Sequence, residues 1–223
     1  MSCSRIAFIA PAGYGKTQAI VNRVKDTEGK ALVLTHTNAG VTALGNRLRL
    51  AGVAPACCEV STIASYCEKW VKAYPEAAGF DEFSTFSGST YYDQLYPAAG
   101  QVLSKDWAQH VLSKSYSCVI VDEYQDCTVT QQEALFALST GLDLVVYGDP
   151  MQSIFYWSGK LASMEDSSFS VRPLDARPYR WINAGAEELG DEIARIRDVL
   201  LPTLRGESVS LSLGDSVKGV TFV

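Results

Sequence analysis

The chain has 223 residues, 47% hydrophobic and 20% charged, enough apolar material for one sizeable core with a small insertion. Its formal net charge of −6 argues against the broad basic surface that gives strong non-specific affinity for nucleic acid, so any such contact is expected to be local. No run approaches the roughly 18 to 20 apolar residues that span a bilayer, and "IAFIAPAG" leads straight into a glycine loop, so neither a membrane segment nor a signal peptide is expected. The six cysteines (Cys3, Cys57, Cys58, Cys67, Cys118, Cys127) follow neither CxxC metal spacing nor the density of secreted disulfide scaffolds. A soluble, cytoplasmic protein with reduced thiols is the expectation.

Taken in chain order, "RIAFIA" (Arg5 to Ala10) predicts a short strand, followed by glycine-rich turn chemistry and a helix from Lys16 to about Lys25. "KALVLTH" (Lys30 to His36) predicts a second buried strand, and Asn38 is placed to cap the helix "AGVTALGNRLRL", which ends near Gly52. An aromatic-rich stretch from Ile63 to Trp107 is broken by the loop-like "FSTFSGST", and roughly 70–112 is expected to form a small inserted helical subdomain. "YSCVIVDE" (Tyr116 to Glu123) and "LDLVVYGD" (Leu142 to Asp149) are continuous apolar runs ending in acids, as in strands covered on both faces. A helix is expected from about Ala184 to Leu200, then loop and short strands. The implied class is α/β: a mostly parallel sheet flanked by helices, in one domain over 1–223.

In "APAGYGKTQ", Lys16 and Thr17 follow Gly13 and Gly15 between a strand and a helix, the setting of a phosphate-binding loop. Backbone N–H groups of Ala12, Gly13, Tyr14, Gly15 and on to Gln18, with the positive end of the helix dipole, would hold the β-phosphate of ATP. Lys16 would reach the β- and γ-phosphates and Thr17 would ligate Mg²⁺. The first motif position is Ala10 instead of glycine, which matters only if the backbone there needs a positive φ. In "VIVDEYQD", Asp122 is the candidate to hold Mg²⁺ through its water shell, and Glu123 the candidate to orient and deprotonate the attacking water.

"LTHTNAG", "VDEYQD" and "YGDPMQSIFYW", in this order after the phosphate loop, resemble the motif set of the UvrD/Rep-type superfamily 1 DNA helicases, over Ile6 to about Arg195. The resemblance implies a RecA-like first motor half. It makes Ala10 a family trait and Gln152 the γ-phosphate sensor that couples to the DNA groove. It makes Phe155 and Trp157 aromatics on which bases of single-stranded DNA stack, at roughly 1 to 3 kcal/mol per base. Thr37 and Asn38 match a DNA-backbone segment, with His36 where the family usually has phenylalanine. In "STIASY", Thr62 matches the next such segment, with Ala64 replacing a common histidine. "RPYRW" resembles the family's Asn-Tyr-Arg element, giving Tyr179 as the adenine-stacking ring and Arg180 as a γ-phosphate contact, with Pro178 in place of the asparagine. Phe155 and Trp157 also suit core aromatics, and Arg180 also suits a surface ion pair.

Family members continue into a second motor domain, whose motifs are not found in "SLSLGDSVKGVTFV". The expectation is therefore a Mg²⁺-dependent ATPase lobe, weak in isolation and weak on single-stranded DNA, that needs a second motor domain or a protein partner. A different class remains open: a single-lobe regulatory P-loop NTPase that uses the same face to hold a protein partner. A small-molecule kinase fits less well, because nothing resembles an acceptor-binding lid and the paired acids suit water activation.

Overall fold

In a parallel sheet covered on both faces, successive side chains must satisfy two different cores, and the central strands here do so by period-two alternation. The computed structural model describes residues 3–79, 91–153, 160–174 and 177–209. Six strands, β1 (Arg5–Ile9), β2 (Ala31–Thr35), β3 (Cys58–Thr62), β4 (Cys118–Val121), β5 (Asp143–Gly148) and β6 (Ser170–Pro173), form one sheet in the order β3-β2-β4-β5-β1-β6. Every pairing is parallel. The α/β class and the parallel sheet flanked by helices are as expected.

Leu32, Leu34, Val119, Val121, Leu144 and Val146 face one core. Ala31, Val33, Cys118, Ile120, Val145 and Tyr147 face the other. On that second face lie α1 (Lys16–Asp26) and α2 (Asn38–Leu50), through Ile20, Val21, Val24, Leu44 and Leu48. The first face carries α3 (Ile63–Ala73), α4 (Tyr91–Leu103), α5 (Asp106–Ser115) and α6 (Val129–Leu138). Their Ile63, Trp70, Leu95, Val102, Leu112 and Leu135 belong to the same buried cluster as the sheet. Each large aliphatic side chain buried this way contributes about 1.5–3 kcal/mol.

Two C-terminal helices, the short α7 (Tyr179–Asn183) and the 14-residue α8 (Glu187–Leu200), follow β6. The single helix expected from Ala184 thus begins three residues later and is preceded by another; Gly185, at φ 67, separates the two. The predicted cap also shifts by one residue. Thr37 is the N-cap of α2, its hydroxyl accepting the Gly40 N–H at 3.0 Å, and Asn38 is the first helical residue. Thr62 caps α3 and Thr128 caps α6, the latter in a capping box with Gln131. Two strands escaped the sequence reading, β3 and β6, both at sheet edges. Among the described residues no helix is long and apolar enough to cross a membrane.

Candidate functional site

Parallel strands deliver the loops that follow them to one edge of the sheet, and here β1, β5 and β4 lie side by side. Ile9 of β1 is level with Gly148 of β5, and Val146 of β5 with Val121 of β4. The phosphate-type loop, the Asp122–Glu123 pair and the Asp149–Gln152 turn therefore meet at one edge.

The loop from Ala10 to Gly15 is pinned to β5 by the Ala10 N–H, which donates to the Gly148 carbonyl at 3.1 Å. Gly13 (φ 79) and Gly15 (φ 83) take left-handed backbone, whereas Glu123 is the one non-glycine with positive φ among the described residues. Ala10 therefore needs no glycine, which resolves the question its methyl group raised. Gly15 is the N-cap of α1 and has no side chain to accept from the first N–H groups of the helix. Lys16 is 8% exposed, and its Nζ donates to the carbonyls of Ala10 (3.1 Å) and Pro11 (3.4 Å), inside the curve of the loop. Ala12, Tyr14 and Thr17 are partly buried around it, and Gln18 is exposed, donating from Nε2 to Asn22.

Asp122 is 9% exposed. Burial first, then the neighbouring Glu123 charge, push its carboxyl up to about 6, while the Glu123 N–H and the Lys16 ammonium pull the other way. A buried acid in that state is a suitable ligand for a cation, and the Thr17 hydroxyl would complete a pair of oxygen donors for Mg²⁺. Glu123 sits at φ 54, ψ 42, a left-handed conformation that costs about 1–3 kcal/mol for a side chain of this kind. Its N–H donates to Asp122 Oδ1 at 3.0 Å, and its Oε2 accepts from Gln125 Nε2 at 2.9 Å. Gln152 donates from Nε2 to Asp149 Oδ2.

The C-terminal helices close on the loop. The Arg180 N–H donates to the Gly13 carbonyl at 3.2 Å, and a methyl group built on Gly13 would come 2.7 Å from Arg180 Cβ. A methyl on Gly15 would lie 3.1 Å from the Tyr179 ring. Tyr14 donates from its hydroxyl to the Gly190 carbonyl of α8 at 3.5 Å. Tyr179 remains 47% exposed.

Thr37, Asn38 and Thr62 lie at the N-termini of α2 and α3, on the same sheet edge but beyond β4. Thr62 is 6% exposed, and its hydroxyl is engaged, accepting the Ser65 N–H at 3.0 Å and donating to Ser65 Oγ at 2.8 Å. A cleft of about 260 Å³ opens here between His36, Thr37, Ala64, Tyr96 and the acids Asp93 and Asp126. Burial lowers the His36 ring to about 4 against the opposing effect of the Glu123 carbonyl and charge, so it stays neutral near pH 7. Phe155 and Trp157 lie outside the described residues. Three residues joined to the site were not singled out from sequence: Gln125, Asp149 and Arg197. The first two sit inside the quoted motifs "VDEYQD" and "YGDPMQSIFYW"; Arg197 carries no sequence signal.

Residues 87–165 match the family model of the UvrD/REP helicase N-terminal domain. The matched segment contains both "VDEYQD" and "GDPMQSIFYW", so the resemblance drawn from those motifs holds there. No curated protein matches the chain. Solved structures it is similar to include an Arterivirus nonstructural protein 10 (helicase) in complex with DNA, at 15% identity and TM-score 0.41. That likeness covers 77% of this chain and 35% of the other. A second Arterivirus nonstructural protein 10 (helicase) structure matches at 15% identity and TM-score 0.38, over 77% and 34%. The chain thus spans about a third of the length of these helicases.

Proposed function

We propose that this chain is an ATP-binding and ATP-hydrolysing motor lobe of the superfamily 1 helicase type, which couples Mg-ATP hydrolysis to contact with single-stranded DNA. The observation that carries the reading is the convergence of Lys16, Asp122 and Glu123 at one sheet edge, beside a loop with left-handed backbone at Gly13 and Gly15. In this reading Lys16 exchanges its two carbonyl partners for the β- and γ-phosphates. Thr17 and Asp122 hold Mg²⁺, which when bound neutralises charge on the phosphate oxygens. Glu123 accepts the proton of the attacking water, so that ATP and water become ADP and phosphate. Gln152 reaches the γ-phosphate, Arg180 contributes positive charge to it, and Tyr179 stacks on the adenine. Residues 70–112 act as an inserted element of this one lobe, whose cycle is completed by a second motor domain or a protein partner.

For DNA, the N-termini of α2 and α3 offer Thr37, Asn38 and the Thr62 segment to the phosphate backbone, with Phe155 and Trp157 as base-stacking rings. One observation favours the other reading, a regulatory nucleotide-dependent lobe that grips a protein. The cleft on that face carries Asp93 and Asp126, and the Thr62 hydroxyl is already committed to its own helix.

Binding of a fluorescent ATP analogue with Mg²⁺ tests the nucleotide site. Lys16→Ala is expected to abolish binding at micromolar concentrations of protein; an unchanged affinity would remove the loop from the mechanism.

A further inference from the structure

Asp149 directly follows β5 with its side chain 1% exposed, and Nη2 of Arg197 from α8 approaches its Oδ1 to 2.5 Å, with the Arg197 side chain itself 11% exposed. A carboxylate taken this far from water is costly unless a cation and hydrogen bonds compensate it. Arg197 supplies the cation. The Met151 N–H donates to Oδ1 at 3.1 Å and Gln152 Nε2 donates to Oδ2. The contact does not stop at Asp149. Its backbone N–H donates to Gln125 Oε1 at 2.9 Å, and the same amide, 5% exposed, donates from Nε2 to Glu123 Oε2 at 2.9 Å.

We propose that Arg197 is a positioning residue for hydrolysis: by holding Asp149 in place it fixes both Gln152 and, through Gln125, the carboxylate of Glu123. Helix α8 thereby becomes part of the hydrolytic site without touching nucleotide. The inference rests on the ATPase reading for its purpose, but the wiring itself rests on the hydrogen bonds alone. An amide with both ends engaged has one orientation, so the Gln125 side chain transmits the place of Asp149 to Glu123. Arginine suits this post because its planar fork keeps its charge when buried.

Two variants of the full chain test it, Arg197→Gln and Arg197→Lys. Without nucleotide, hydrogen exchange at the Asp149 and Met151 amides, whose acceptors are Gln125 Oε1 and Asp149 Oδ1, should rise at least about tenfold in Arg197→Gln while β2 and β4 stay unchanged. Arg197→Lys should restore most of that protection. Unchanged exchange at both amides, or an equal rise through β2 and β4, overturns the wiring. With Mg-ATP, Arg197→Gln should lower kcat at least about tenfold with nucleotide affinity kept within about twofold. A normal kcat, or loss of rate and affinity in proportion, overturns the positioning role. The expected exchange pattern across the variants, together with no ATP turnover by the wild-type chain, upholds the wiring and rejects the ATPase reading.

Discussion

Gly13 and Gly45 make opposite demands on the same substitution. At Gly13 a Cβ would meet Arg180 Cβ at 2.7 Å on a backbone of φ +79, so Gly13→Ala must move α7 as well as strain the loop. A loss of at least about 1 kcal/mol is expected from the left-handed backbone alone, together with weakened nucleotide binding. Gly45 lies within α2 and a methyl there meets nothing within 4 Å, so Gly45→Ala should stabilise the protein by about 0.5–1 kcal/mol. Thermal melts of the two variants check both signs. Charge acts at this scale too. Burial raises the Glu59 carboxyl, but hydrogen bonds from Lys30 and Tyr116 and the Lys69 charge outweigh it and bring it to about 2. A folded pKa below the unfolded value of 4.5 means that the stability contributed is complete above 4.5 and is lost as pH falls from 4.5 to 2. His36, lowered from 6.5 to about 4, likewise contributes fully above 6.5 and loses that contribution as pH falls to 4. Each unit of pKa difference is worth about 1.4 kcal/mol. The Asp122 carboxyl, raised from 3.8 to about 6, works the other way and adds stability as pH falls between those values. The His36 contribution is therefore read as the difference in denaturant midpoint between wild type and His36→Phe, which should shrink from pH 6.5 to 4, while both keep the Glu59 fall below pH 4.5.

Among the elements, α6 shows what the local sequence specifies. Its capping box uses the Thr128 hydroxyl, which accepts the Gln131 N–H at 3.3 Å, and the Gln131 side chain, which accepts the Thr128 N–H at 2.9 Å. Thr128→Ala should cost about 0.5–2 kcal/mol, read as a lower denaturation midpoint with unchanged slope. The same scale explains which elements were legible. β2, β4 and β5 are buried on both faces and so read as unbroken apolar runs in "ALVLT", "CVIV" and "LVVYG". β3, "CEVST", and β6, "SVRP", are edge strands that are half-buried and exposed, so no hydrophobic pattern marks them. The site divides the same way. Lys16 and the Asp122–Glu123 pair announce themselves because loop geometry and strand ends are local properties of the chain. Arg197 does not, because its importance lies in a partner at the end of a distant strand, and "ARIRDV" has the look of any amphipathic helix.

At the scale of the whole molecule, the sheet edge divides into an end that carries the glycine loop and the acid pair, at β1, β5 and β4, and an end that carries the cleft, at the N-termini of α2 and α3. A net charge of −6 and two acids in the cleft predict that single-stranded DNA binds weakly and, with few basic contacts to phosphate, with a shallow dependence on salt. If the motor reading holds, DNA should accelerate ATP turnover at low salt, and Trp157→Ala should remove the acceleration. The regulatory reading expects no response to DNA. Both readings share one claim, that Glu123 is the base at a Mg-ATP site built on Lys16. Single-turnover hydrolysis of Mg-ATP by Glu123→Gln, measured beside its nucleotide affinity, tests that claim most directly. The account predicts affinity within about twofold of wild type and a rate lowered at least about a hundredfold; a Glu123→Gln protein that hydrolyses ATP at the wild-type rate would contradict it.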